Sequence, residues 1–192
     1  MQKARRFTLL AATTLAGIAC ATGASAGDQE WRLVRDQSSV KFSALQQGSR
    51  FTGLFQDFSA EVTFDPEHPA QGKIVGVVRT ASVNTRDTDR DSTLPDRDWF
   101  DSSQYPEARF ESESISKAPN GEGYVANGQL TLKGKTKPAQ LDFTFDEADP
   151  STATLHGTMT IDRFDYNVGE GYNDTSWVSQ DVDVEVDLKL TT

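Results

Sequence analysis

The chain has 192 residues, 29 of them acidic and 19 basic, for a net charge of -10 at neutral pH. This length gives one domain room for a sizeable core, and the acidic balance disfavours nucleic acid and anionic membrane as electrostatic partners. Cys20 is the one cysteine, so the fold must rest on its apolar core rather than on disulfides.

Residues 1–26 read as an export signal. Lys3, Arg5 and Arg6 form a basic start, Phe7 to Ala19 is the apolar run, and Ala24-Ser25-Ala26 is an A-x-A cleavage site. The run is too short to span a bilayer as a permanent helix. Ala19-Cys20-Ala21 offers a second cleavage site. Gly17-Ile18-Ala19 lacks the leucine expected ahead of a lipidated Cys20, which argues against a lipid anchor. Cleavage near Ala26 would leave residues 27–192 as one periplasmic domain and take the net charge from -10 to -13, since Lys3, Arg5 and Arg6 are lost and no acid is.

Beyond the leader, apolar and polar residues alternate. Strands are predicted at Trp31–Val34 with Val40–Leu45, then at Phe51–Phe55, Phe58–Phe64, Lys73–Ala81, Ala108–Ser116 and Gly123–Leu132. Leu141, Phe143 and Phe145 alternate with acids and threonine, and Ala153–Ile161 and Val178–Leu190 follow. Val182, Val184, Val186, Leu188 and Leu190 against Asp183, Glu185, Asp187 and Lys189 give the cleanest period of two. Asp65-Pro66 ends one strand, and Pro119-Asn120-Gly121 marks a hairpin. Gly134 to Pro138 and Asp146 to Pro150 read as two more turns. Strands joined mostly by short connections define an antiparallel barrel or sandwich, and alternation alone does not separate the two. The 11 phenylalanines suit a barrel with a cavity and a densely filled core about equally.

Arg86 to Phe110 breaks the alternation. It is dense in charge, carries Leu94, Trp99, Phe100 and Tyr105, and is punctuated by Pro95 and Pro106. A connection this long reads as a lid, with one short helix predicted near Pro95–Phe100. Its large apolar side chains must cover apolar surface.

Little in the chain points to chemistry. His68 lies in a turn and His156 on a strand, and neither has a second soft ligand placed beside it. No nucleophile elbow or poised base is present. Asp87, Asp89 and Asp91 start like a calcium loop, but Ser92 and Asp98 stand where Gly and Glu are needed. Solvated charge paired with Arg86, Arg90 and Arg97 fits better. Lys133, Lys135 and Lys137 cluster at a turn, either to discourage strand-edge pairing or to meet an anionic head group.

Read together and in order, the following marks resemble a known family. They are Asp36, Ser39-Val40 and Phe42; Gly53, Phe55 and Phe58; Phe64-Asp65-Pro66; Asn84-Thr85-Arg86; Asp98-Trp99-Phe100-Asp101 with Tyr105-Pro106 and Phe110; Gly128 to Leu132; Gly134 to Pro138; and Ile161-Asp162-Arg163 with Asp165-Tyr166. The chain resembles the YceI-like family of exported, lipocalin-like proteins that bind polyisoprenoids. The resemblance implies an all-β fold, an extended antiparallel eight-stranded β-barrel with one short helical lid segment. It implies an isoprenoid quinone or prenyl pyrophosphate held in an apolar tunnel, for carriage, storage or sequestration, with no catalytic residue, metal or cofactor. The wall is expected from Phe42, Phe51, Phe55, Phe58, Ile161, Phe164, Tyr166 and Trp177, and the lid from Leu94, Trp99 and Phe100. Transient contact with a membrane or a membrane redox protein is a further expectation, and the oligomeric state stays open. An accessory role in membrane electron transfer and a lipid-ester hydrolase are the alternatives. Thr93-Leu94 stands where many members have His-Leu, and Gln46-Gln47 replaces a histidine region.

Overall fold

The computed structural model describes residues 29–192; the leader read over residues 1–26 lies outside them. The alternating segments pair antiparallel throughout and close on themselves. β1 (Glu30–Leu33) and β2 (Ser39–Gln46) are halves of one stave, bent at a 3-10 turn over Arg35–Gln37. β3 (Ser49–Phe55) and β4 (Phe58–Thr63) form the next, bent at Gln56–Asp57. β5 (Lys73–Arg79) and β6 (Val83–Asn84) form a third, bent at Thr80–Ser82. The remaining five staves are continuous: β7 (Glu107–Lys117), β8 (Tyr124–Leu132), β9 (Lys135–Asp149), β10 (Thr152–Asp162) and β11 (Asp181–Thr191). The ring runs β1-β4-β5-β7-β8-β9-β10-β11 and closes by β11 onto β1, with Leu33 opposite Leu190. Farther along, β11 pairs with β2, Val184 opposite Phe42. The result is a closed eight-stranded barrel in which every stave has a neighbour on each side.

Closure explains the alternation. Val182, Val184, Val186 and Leu188 face the interior, while Asp183, Glu185 and Asp187 pair outside with Arg50 and Lys41. The expected strands are present with ends within three residues of those read, except that β9 starts six residues before Leu141 and ends four beyond Phe145. Two expected turns are corrected. The β8–β9 turn is only Lys133-Gly134, both with positive φ (48° and 70°), the tight hairpin geometry that follows strand twist. β9 then runs through Pro138 and on to Asp149. Pro138 is tolerated because β10 partners β9 only from Asp142 onward, which leaves one side of β9 unpaired there.

The helix is also displaced from the expected position. α1 spans Thr88–Thr93, and Pro95–Phe100 forms turns. Asp87 caps it, its carboxylate accepting from Asp89 N and Arg90 N, and Pro95 lies just past its end. Asp87 and Asp91, two of the aspartates read as an incomplete calcium loop, therefore serve the lid's own backbone, and Asp87 also pairs with Arg90 at 3.4 Å. Asp91 accepts from Thr85 N and Thr85 Oγ1, both at 2.6 Å.

The two ends of the barrel differ. At one, Trp31, Phe64, Tyr124, Phe143 and Phe145 interlock, edge to face except for the stacked Tyr124–Phe143 pair, with Phe64 wholly buried and centroids 4.8 to 5.4 Å apart. Trp31 Nε1 donates to Phe64 O at 3.0 Å. This plug seals that end. The lid covers the other.

Candidate functional site

Between plug and lid the barrel is hollow. A cavity of about 170 Å³ is bounded by Ile74, Leu141, Leu155 and Leu188 at its deep end and by Leu94, Trp99 and Phe100 above. On β11 it runs from Val182 to Leu188, roughly 20 Å of strand at about 3.3 Å per residue. A barrel tilt of about 40° leaves some ~15 Å along the axis. The space is therefore long and narrow, suited to a chain rather than to a compact ligand.

Packing rules explain why it stays open. Gly53 lies opposite Phe42, and a Cβ there would stand 2.4 Å from the Phe42 ring. Phe42 can therefore lie flat against β3, in contact with Phe51, Phe55 and Phe100 at 5.5 to 6.4 Å. Gly76 faces inward beside Ala60 of β4, and a Cβ on it would meet nothing within 4 Å. Small side chains on β4 and β5 thus leave the room that the plug end fills with rings.

Of the expected wall and lid residues, Phe42, Phe51, Phe55, Leu94, Trp99, Phe100 and Ile161 line this cavity. Phe58, Phe164, Tyr166 and Trp177 do not. Phe58 is buried in the core with Arg35 over its ring at 5.7 Å. Phe164 lies under the Arg163 guanidinium at 4.1 Å, Tyr166 is buried away from the cavity, and Trp177 is 44% exposed on the rim. Selection by ring size missed the aliphatic wall, chiefly Val40, Val78, Met159, Val182, Val184 and Val186. The period of two on β11 carried that signal.

Cations hold the lid end together. Arg163, 2% exposed, donates all five of its N–H groups to carbonyls: Nε to Ser179 O, Nη1 to Val168 O and Gly169 O, Nη2 to Tyr172 O and Val178 O. It clamps the β10–β11 loop over the barrel. Burial pulls its pKa down, and Asp162 offsets part of that. Lys133, read as an edge guard or a head-group contact, is buried instead; Nζ donates to Asp98 O at 3.2 Å and Asn167 O at 2.8 Å. It joins the β8–β9 turn to the lid and to the β10–β11 loop, and burial holds its pKa below the usual lysine value. Arg90 of α1 reaches Gln46 Oε1 at 2.9 Å and lies over Phe51 at 4.8 Å, tying the lid to the β2–β3 hairpin. Burial, with Asp165 adding to it, pushes the Tyr166 phenol up to about 12. Trp99 Nε1 is buried and has no hydrogen-bond partner among the described residues.

A closed eight-stranded antiparallel barrel with a blind apolar bore under a lid is the lipocalin-like architecture. Residues 31–190 match the YceI-like domain, and the chain belongs to that family. It is 36% identical over 136 residues to a UPF0312 protein of Photorhabdus laumondii, covering 70% of each chain. The crystal structure of Burkholderia cenocepacia BcnA superposes with a TM-score of 0.78 at 32% identity, covering 83% of this chain and 99% of that one. A polyisoprenoid binding domain from Saccharophagus degradans, implicated in plant cell wall breakdown, shares the fold with a TM-score of 0.64 at 18% identity, over 85% of this chain and 98% of that one.

Proposed function

We propose that this barrel carries one isoprenoid lipid, tail toward the plug and polar head under the lid, in the periplasm after loss of residues 1–26. The bore carries the proposal. Among the described residues its wall is hydrocarbon from Leu188 to Phe100, interrupted by Ser59, by the Trp99 indole and by an Arg163 whose donors are all engaged. The Saccharophagus degradans domain, described as polyisoprenoid binding, supports the same ligand class. Burying apolar carbon from water is worth roughly 0.8 kcal/mol per CH₂. A lipid arriving from a bilayer has already gained that, so transfer into the bore is nearly neutral and reversible, as carriage requires.

A neutral head group such as a quinone is favoured over a pyrophosphate by the cations at the lid. Among the described residues lining the bore the one cation is Arg163, and both it and the buried Lys133 nearby already donate to carbonyls.

Native mass spectrometry of protein purified from its own host should find a prenyl lipid retained. Empty protein, or phospholipid alone, would contradict the proposal. Titration with prenyl alcohols of increasing length adds a geometric check. At roughly 5 Å per isoprene unit, from four carbon–carbon bonds of about 1.5 Å, the bore holds about three extended units. Affinity should climb to about that length and then flatten.

A further inference from the structure

Among the described residues, the large apolar side chains left exposed are Leu45, Tyr172 and Trp177, at 41%, 41% and 44%. All stand at the lid end. Leu45 and Trp177 flank the bridge between Gln46 and Val178; Gln47 N donates to Trp177 O and Ser179 N to Leu45 O, both at 2.9 Å. Val178 turns inward onto the bore, so alternation turns Leu45 and Trp177 outward on one face. The Tyr172 ring lies 5.3 Å from the ring of Trp99, a lid residue that lines the bore. Arg163 fixes this rim from below through Tyr172 O and Val178 O. Residues 170–177 are exposed along their whole length, yet both flanks of the segment are anchored.

Single exposed apolar residues are ordinary. Three that gather around the covered mouth of an apolar bore call for a purpose, and Trp and Tyr are the side chains that settle at a membrane–water boundary. We infer that this rim is a docking surface for a lipid bilayer, specifically one of zwitterionic headgroups. The inference rests on the lipid-carrier reading above. Charge chooses the headgroup. Asp165, Glu170 and Asp174 in the β10–β11 loop and Asp96, Asp98 and Asp101 in the lid outnumber Arg86 and Arg97 in the lid, Lys137, which pairs with Asp165, and Arg50, which stands opposite Leu45 and pairs with Asp183. An anionic surface is repelled by that balance. The ammonium groups of phosphatidylethanolamine and phosphatidylcholine are attracted to it, and they also suit the faces of exposed aromatic rings. Docking here sets the Trp99–Tyr172 pair against the headgroups, so a prenyl chain passes between bilayer and bore without crossing water.

The test uses the full protein purified from its host and stripped of lipid, mixed with phosphatidylethanolamine–phosphatidylcholine vesicles that contain a brominated phosphatidylcholine. Bromine quenches tryptophan on contact. Wild-type emission should be quenched, and Trp177→Phe should lose most of that quenching. Leu45→Ser with Tyr172→Ser keeps the reporter and should weaken vesicle binding about tenfold or more, as expected for losing apolar area of that size. Added phosphatidylglycerol should weaken binding further. No quenching, quenching indifferent to these substitutions, or binding strengthened by phosphatidylglycerol would overturn the inference. Loading of the same stripped protein with prenyl alcohol in detergent, read by native mass spectrometry, separates the two proposals. Loading without docking defeats the docking surface alone, and docking without loading defeats the carrier reading on which it rests.

Discussion

Val184 and Asp183 are chain neighbours in different media. Val184 faces the bore, whereas Asp183 faces water, pairing with Arg50 at 3.2 Å and accepting from Thr160 Oγ1 at 2.9 Å. Val184→Asp puts an unpaired carboxylate among hydrocarbon and should cost several kcal/mol, on the order of 2–4. Asp183→Ala removes a half-exposed ion pair and should cost less than about 1 kcal/mol. Urea melts of the two variants compare them directly, and equal losses would mean that the faces are assigned wrongly.

The lid is where local signals and tertiary structure part company. Its existence was legible in the break in alternation from Arg86 to Phe110, and the burial of Leu94 and Phe100, each 7% exposed, follows from their size. The helix position is not legible from Pro95, which suits a helix start as well as the residue past an end; Asp87 supplies the cap and Pro95 follows the end. Lys133 and Arg163 were opaque for a different reason. Their partners are backbone carbonyls distant in sequence, and a carbonyl carries no residue-type signature. The bent staves were partly legible. Phe51–Phe55 and Phe58–Phe64 read as two strands, and only the shared pairing with one long partner stave makes them one. Leu94→Ala with Phe100→Ala should do two things. It should lower stability by several kcal/mol, up to about 3–5 for each well-packed site, and it should speed prenyl release to acceptor vesicles. Leu94→Ala alone serves if the double variant unfolds. Unchanged release from a variant whose circular dichroism is native would show that the lid does not gate the bore.

At the scale of the molecule, stability should form a plateau with a fall at each end of the pH range. Tyr166, held near 12 against an ordinary value of about 10, contributes fully below pH 10, and that contribution disappears as pH rises through 12. Lys133, lowered by burial, acts in the opposite sense, so the comparison of wild type with Tyr166→Phe isolates the tyrosine. At the acid end, burial raises the Asp187 pKa, but hydrogen bonds from His156 and Lys41 outweigh that and leave it below its usual value. Its contribution is present above the ordinary carboxylate range and is lost as pH falls through the depressed value. Urea midpoints across pH should show both falls, and an alkaline fall unchanged in Tyr166→Phe would remove the tyrosine from the balance. The central claim concerns the hollow bore, and Gly76 gives the most direct access to it. A Cβ at Gly76 meets nothing within 4 Å, so Gly76→Leu places a side chain in the bore without a clash at the backbone. The measurement is a prenyl-quinone binding isotherm on wild type and Gly76→Leu, each with a urea melt. The expected result is stability kept within about 1 kcal/mol and affinity reduced at least about tenfold, since one leucine-sized volume of ligand contact is lost. Undiminished affinity in a stable Gly76→Leu protein would mean that the lipid does not lie in the bore.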